Sequence, residues 1–156
     1  EKIGRNCLLY DEFIVREVMA GRISRSAFKA IDADIWVHHH CHQKALVGIE
    51  PTVTMLSFIP KTTVHVVPSG CCGMAGSFGY EKKHYEMSMA IGELVLFPTL
   101  RKVVEQNEEL NRLRLNDEMR NLIVAAPGTS CRQQIWDGTK IKAVHPIEIL
   151  IQSILQ

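Results

Sequence analysis

The sequence predicts an α/β fold, a mainly parallel sheet of about four strands with helices on both faces. Short runs rich in β-branched residues recur along the chain: DIWVHH at 34–39, TVHVV at 63–67, NLIVA at 121–125 and KIKAV at 140–144. Between them lie segments whose apolar residues repeat at helical spacing. Strands alternating with helices in this way imply βαβ units joined by right-handed crossovers.

The elements follow in order. Residues 8–20 place Tyr10, Phe13, Ile14 and Val18 on a helical repeat, with Gly21 as its stop. Cys7, in NCLLYDEF, is expected to be an inert packed thiol. After strand DIWVHH comes a brief helix, HQKALVG, and then EPTVTMLSFIP, a helix with Pro51 in its first turn. Strand TVHVV leads into a glycine-rich loop, PSGCCGMAGSFGY, in which Met74 and Phe78 are expected to plug the core. Residues 81–96 put Met87, Ile91, Leu94 and Val95 on one helical face, and Met89 is expected to pack as well. The stretch 101–120 is highly charged and reads as a solvated helical excursion. A helix begins near Ser130, and Pro146 starts a closing helix with Ile147, Leu150, Ile151 and Ile154 on its buried side.

Residues 1–156 read as a single domain, long enough to bury a core. Hydrophobic residues make up 46%, charged residues 22%, and the formal net charge is +1. That balance offers no electrostatic attraction to nucleic acid or an anionic membrane, and no apolar run is as long as a membrane span. The chain opens EKIGRN, without methionine, as expected of a piece of a longer protein.

The cysteines carry the chemistry. Cys41 follows the first strand, Cys71 and Cys72 the second, and Cys131 the third. In parallel sheets, sites form outside the carboxyl ends of the strands, so these four thiols share one rim. Adjacent cysteines seldom bond to each other, because the ring that closes is strained. The glycines after them, from Gly73 onward, can aim backbone N–H groups at sulfur, as can the turn at Gly128. Ser130 and Gln133 have capping-box spacing, which puts Cys131 in a first helical turn where the dipole favours a thiolate. Arg132 adds positive charge there, and Cys41 also opens a helix. In VHHHCHQ, alternation sends His38 and His40 to one face and His39 to the other, while His42 stands beside Cys41. Hydrogen-bonding support is the expected role of these histidines, with ligation the lesser alternative and a fifth ligand, a proton carrier or a helix-start donor all open at His42; His145 ends the last strand on the same rim. Four thiolates suit an iron–sulfur cluster, tetrahedral zinc or a metal-free redox pair.

HCHQKAL at 40–46, SGCCGMAGSFGYEKKHYEMSMAIGE at 69–93 and APGTSCRQQIWDGT at 126–139 resemble the cysteine-rich CCG domain. They look most like the C-terminal end of bacterial FAD-linked D-2-hydroxyacid dehydrogenases of the D-lactate, glycolate and D-2-hydroxyglutarate type. Related domains occur in heterodisulfide reductase and in the iron–sulfur subunits of glycolate oxidase and anaerobic glycerol-3-phosphate dehydrogenase. The resemblance implies a [4Fe–4S] cluster on Cys41, Cys71, Cys72 and Cys131, with His40, His42, Gly73, Gly128, Ser130 and Arg132 around it. It also implies a parent chain with FAD-binding and ferredoxin-like domains as partners, an external electron acceptor, and a cytoplasmic location, peripheral at the inner membrane where the acceptor is there. This sequence departs from the family at Gly128, where the other cysteine of a CxxC would fall.

Other chemistries lack their signatures. No GxGxxG follows a strand, and there is no ferredoxin-type cysteine run, flavin-binding segment or nucleophile elbow. The chain alone is therefore not expected to oxidise a hydroxy acid. Flavin would do that chemistry elsewhere.

Overall fold

The computed structural model describes residues 3–113 and 120–155. Strands β1 (Ala33–Val37), β2 (Thr62–Val66) and β3 (Asn121–Ala125) form a parallel sheet in the order β2-β1-β3. Ala33 registers with Thr62 on one side and Asn121 on the other. Seven helices surround it among the described residues: α1 (Tyr10–Met19), α2 (Cys41–Val47), α3 (Glu50–Ser57), α4 (Tyr85–Leu94), α5 (Leu96–Leu113), α6 (Thr129–Thr139) and α7 (Pro146–Leu155). None is long and apolar enough to cross a membrane.

Helices cover both faces, as the patterning predicts. Ala33, Ile35 and Val37 enter one core with Val18 of α1, Met55 and Leu56 of α3, and Ile149 and Leu150 of α7. Trp36 and Val124 face the other core, filled by Leu96, Phe97 and Leu100 of α5 and Ile135 of α6. Full burial of one such aliphatic side chain stabilises the fold by about 2 kcal/mol. At the amino-terminal rim, Arg120 ties all three strands together. Its guanidinium donates to Asp32 Oδ1 (2.8 Å), to the carbonyls of Lys61 (2.8 Å) and Ala33 (3.3 Å), and to Thr63 Oγ1 (3.2 Å). Asp11 plays a similar part for the helices: wholly buried on α1, it accepts from Gln43 Nε2 (2.7 Å) on α2 and Thr52 Oγ1 (2.6 Å) on α3.

Several expectations need correction. KIKAV is not a fourth strand, only a single bridge at Val144. Lys140 takes a left-handed φ of 62° to close α6, and Thr139 Oγ1 then accepts the Ile141 N–H, so the chain rejoins the sheet only just before Pro146. The buried side of α4 is Ser88 and Gly92, while Met87 and Leu94 are exposed. Helix α4 approaches so closely that only small side chains fit: a Cβ on Gly92 would overlap the Phe97 ring, and Gln134 Nε2 donates to the Ser88 carbonyl (2.9 Å). Met89 does pack against that core. On α7, Ile149, Leu150 and Ser153 are buried, and Ile151 and Ile154 are exposed. Phe13 is also exposed, under the Arg16 guanidinium, and Cys7 is an exposed thiol in the turn ahead of α1. Met74 is buried as expected, whereas Phe78 is half-buried and stacks on His84 with ring centroids 4.0 Å apart. The charged excursion is helical to Leu113, with Val103 still packed inward; 114–119 lie outside the described residues.

Candidate metal centre

The thiols come from the three loops that leave the carboxyl ends of the strands. Cys41 is the first residue of α2, Cys71 and Cys72 lie in the loop after β2, and Cys131 is the third residue of α6. Cys72 and Cys131 are buried, Cys71 is half-buried and Cys41 is exposed. One ring nitrogen of His38 and the sulfurs of Cys72 and Cys131 all lie within 4.8 Å of one another. Cys41 and Cys71 make a second pair beside them, close enough for a thiol hydrogen bond. The site is thus a buried half and an exposed half.

The loop after β2 is built to present its sulfurs. Lys44 Nζ on α2 donates to the Ser69 carbonyl (2.9 Å), and the Gly73 N–H points at Cys71 Sγ (3.4 Å). Gly73 has φ 104°, a conformation open to glycine, and a Cβ there would run into the Ser88 carbonyl. Lacking a side chain, it lets the loop press onto α4.

Proton distribution differs from the expectation of a thiolate at Cys131. The Cys131 thiol beside Cys72 holds the Cys72 sulfur well below the usual thiol range, helped by the His38 imidazole and the Met74 N–H. Conversely, its hydrogen bond to Cys72, together with burial, pushes Cys131 far up. Their contact therefore favours a single negative charge on the pair. Burial and the neighbouring Cys71 also raise Cys41. Helix position is therefore outweighed by burial and sulfur–sulfur contact.

The supporting residues divide. Gly128, not Ser130, is the N-cap of α6, and Ser130 makes no capping bond. Arg132 turns from Cys131 and donates to the carbonyls of Ala126 (2.8 Å) and Pro127 (2.9 Å), bracing the β3–α6 loop. His40 caps α2 against Gly128, and His42 is exposed on the first turn of α2. His38 is the residue whose place in the site the sequence left open. It is wholly buried, and its Nδ1 pairs with Ser69 Oγ at 2.7 Å. Its Nε2 makes no well-formed hydrogen bond among the described residues. Alternation pointed it to the face opposite Val37, where Cys72 and Cys131 lie, but no spacing rule links positions 38, 72 and 131.

No family model and no solved structure matches the chain. It is similar to one subunit of the anaerobic glycerol-3-phosphate dehydrogenase of Escherichia coli (strain K12), 29% identical over 126 residues, covering 81% of this chain and 28% of that protein. D-2-hydroxyglutarate dehydrogenase of the same strain is 26% identical over 149 residues, 93% of this chain and 13% of its own length. The Pseudomonas putida protein of that name is 33% identical over 84 residues, 54% of this chain and 7% of its own. These relatives are dehydrogenase chains. The chain spans less than a third of the length of any of the three.

A cleft of about 400 Å³ adjoins the thiols. Leu9, Leu46 and Pro127 give it apolar walls, and Tyr10, His40, His42 and His145 supply polar edges. Gly128 is part of its lining, and a Cβ there would be 2.9 Å from Cys131 Sγ, so one glycine separates the cleft from the buried half of the site. His145 accepts the Ile147 N–H at Nδ1 (3.2 Å), and burial lowers its pKa, with Arg132 adding to the effect. The neutral ring then carries its proton on Nε2.

Proposed function

We infer that the chain is an electron-transfer module of a larger FAD-linked dehydrogenase, with Cys41, Cys71, Cys72 and Cys131 as ligands of a [4Fe–4S] cluster. The observation that carries this is the convergence of four thiols from three loops on one rim of the sheet. The donor set fits such a group. Sulfur-to-sulfur contacts already exist, Cys72 favours the thiolate, and the Gly73 N–H is directed at a sulfur. When bound, a cluster of this kind supplies one-electron transfer at a potential set by its ligands and surroundings.

The chain's own residues have defined tasks in that reading. Backbone N–H groups of Gly73 and Met74 stabilise negative charge on sulfur. Burial of Cys72 and Cys131 excludes water from the inner half, and Lys44 anchors the cysteine loop to α2. Exposed Cys41 and the cleft at Gly128 leave two approaches, one for the reduced flavin-side partner and one for an external acceptor. The relatives are named for glycerol-3-phosphate and D-2-hydroxyglutarate, which favours a parent enzyme that oxidises an alcohol carbon of a small anionic substrate. Flavin would take the electrons from that carbon.

The test is iron and acid-labile sulfide analysis of the full chain purified without oxygen. About four irons with matching sulfide, lost in Cys72→Ser, support the reading. Stoichiometric zinc without sulfide would instead make the chain a structural module. Neither metal would leave a thiol redox site.

A further inference from the structure

We propose that His38 is a nitrogen ligand of the metal group, bound through Nε2 beside Cys72 and Cys131, so that the centre is a mixed imidazole–thiolate site for a metal of the zinc or iron class. It shares with the functional reading above only the premise that these residues hold a metal, because a single ion on His38, Cys72 and Cys131 is a different occupant from a four-iron cluster, in which each iron takes one protein donor.

Placement is the first argument. A tetrahedral ion with metal–sulfur bonds of about 2.3 Å and a metal–nitrogen bond of about 2.0 Å separates its donors by about 3.5–3.8 Å. The His38 nitrogen and the two sulfurs lie within 4.8 Å of one another, so shifts of about 1 Å bring all three onto one ion. Orientation is the second. A ligating imidazole is held by a hydrogen bond from its other nitrogen, which sets the tautomer and the ring plane. Here Ser69 Oγ takes that place at 2.7 Å from Nδ1, leaving Nε2 as the free donor atom. Third, Nε2 belongs to a residue 0% exposed and makes no well-formed hydrogen bond among the described residues, with the Cys72 sulfur as a polar neighbour of the ring. A poorly paired buried nitrogen is costly, and a metal bond removes that cost. Imidazole and thiolate together suit zinc and iron, so the donors agree in chemistry as well as position.

The alternative is that His38 only hydrogen-bonds to the Cys72 sulfur. Cobalt(II) titration of the metal-free, reduced full chain separates the two, because thiolate-to-cobalt charge transfer and the ligand-field bands report donor identity. The expected result is cobalt binding by the unaltered chain and a loss of about 100-fold or more in His38→Ala. Ser69→Ala should lose about 10-fold, the scale of a lost orienting partner. His38→Cys should recover affinity with stronger charge transfer, which a merely structural imidazole would not allow. Reduced, anaerobically prepared chain should show a strongly coupled nitrogen in pulsed electron paramagnetic resonance, absent in His38→Ala. Unchanged cobalt affinity and spectrum in a folded His38→Ala variant would overturn the proposal, as would no cobalt binding by the unaltered chain. Absence of iron and sulfide would sink the electron-transfer reading alone, since the cobalt result stands without them.

Discussion

Replacing His39 with leucine should remove a large part of the protein's acid sensitivity while leaving it at least as stable at neutral pH. His39 is 2% exposed, and neither ring nitrogen makes a well-formed hydrogen bond among the described residues. Burial, assisted by His38 and Lys44 and opposed by Asp11 and a weak contact with the Ile49 backbone, lowers its pKa from 6.5 to about 4. Above pH 6.5 the ring is neutral in both the folded and unfolded states, so it adds no pH dependence. Between 6.5 and 4 the unfolded chain takes up a proton that the folded chain refuses, so stability falls as pH falls through that window. The gap of about 2.5 pH units, at about 1.4 kcal/mol each, makes the full loss about 3 kcal/mol by pH 4. Leucine has nearly the same volume and no polar atoms, so the variant escapes this loss and the cost of two unpaired nitrogens. The assay is urea unfolding of metal-free, reduced protein at pH values from 4 to 8. The difference between the variant and the unaltered chain should be flat above pH 7 and grow by about 3 kcal/mol toward pH 4. A difference independent of pH would refute the argument, because it would mean that His39 protonates in the folded state without penalty.

Three further substitutions probe the two ends of the sheet. Gly73→Ala must hold φ 104° and drive a Cβ into the Ser88 carbonyl, so it should cost more than about 2 kcal/mol and weaken metal binding. Gly76→Ala, with φ 69° and open space around its Cβ, should cost only about 1 kcal/mol; equal losses in the two would contradict the close approach of loop and helix. Arg120→Ala should lower unfolding free energy by about 2 kcal/mol, since it removes charge-assisted bonds that tie the start of β3 to β1 and β2. A loss below about 0.5 kcal/mol in denaturant titration would class the cluster with ordinary surface charges.

The parts of the fold that follow local rules were legible. β-Branched runs marked β1, β2 and β3 to within a residue or two, Pro51 entered the first turn of α3, and Gly21 with φ 71° follows the end of α1. Parallel topology then placed Cys41, Cys71, Cys72 and Cys131 beyond the strand ends without any long-range information. Rules of the same kind failed where through-space contacts compete. The apolar repeat of α4 chose Met87 and Leu94 as its buried side, but close packing against Phe97 and Gln134 selected Ser88 and Gly92. Ser130 matched a capping box, yet the chain leaves β3 so that Gly128 takes the cap and Arg132 holds the loop carbonyls. KIKAV has strand composition, but the left-handed Lys140 uses up the residues that would have paired.

By itself, then, the sequence determined the α/β class, the strands and the shared rim of the four thiols, because these depend on residue type and chain order. Only the tertiary structure decided how the rim divides into a buried Cys72–Cys131 pair and a more open Cys41–Cys71 pair, and that the His38 ring joins the buried half. The reason is physical. Proton affinity and metal geometry depend on distances of a few ångströms between groups dozens of residues apart, and these distances are set by how loops and helices pack over the sheet.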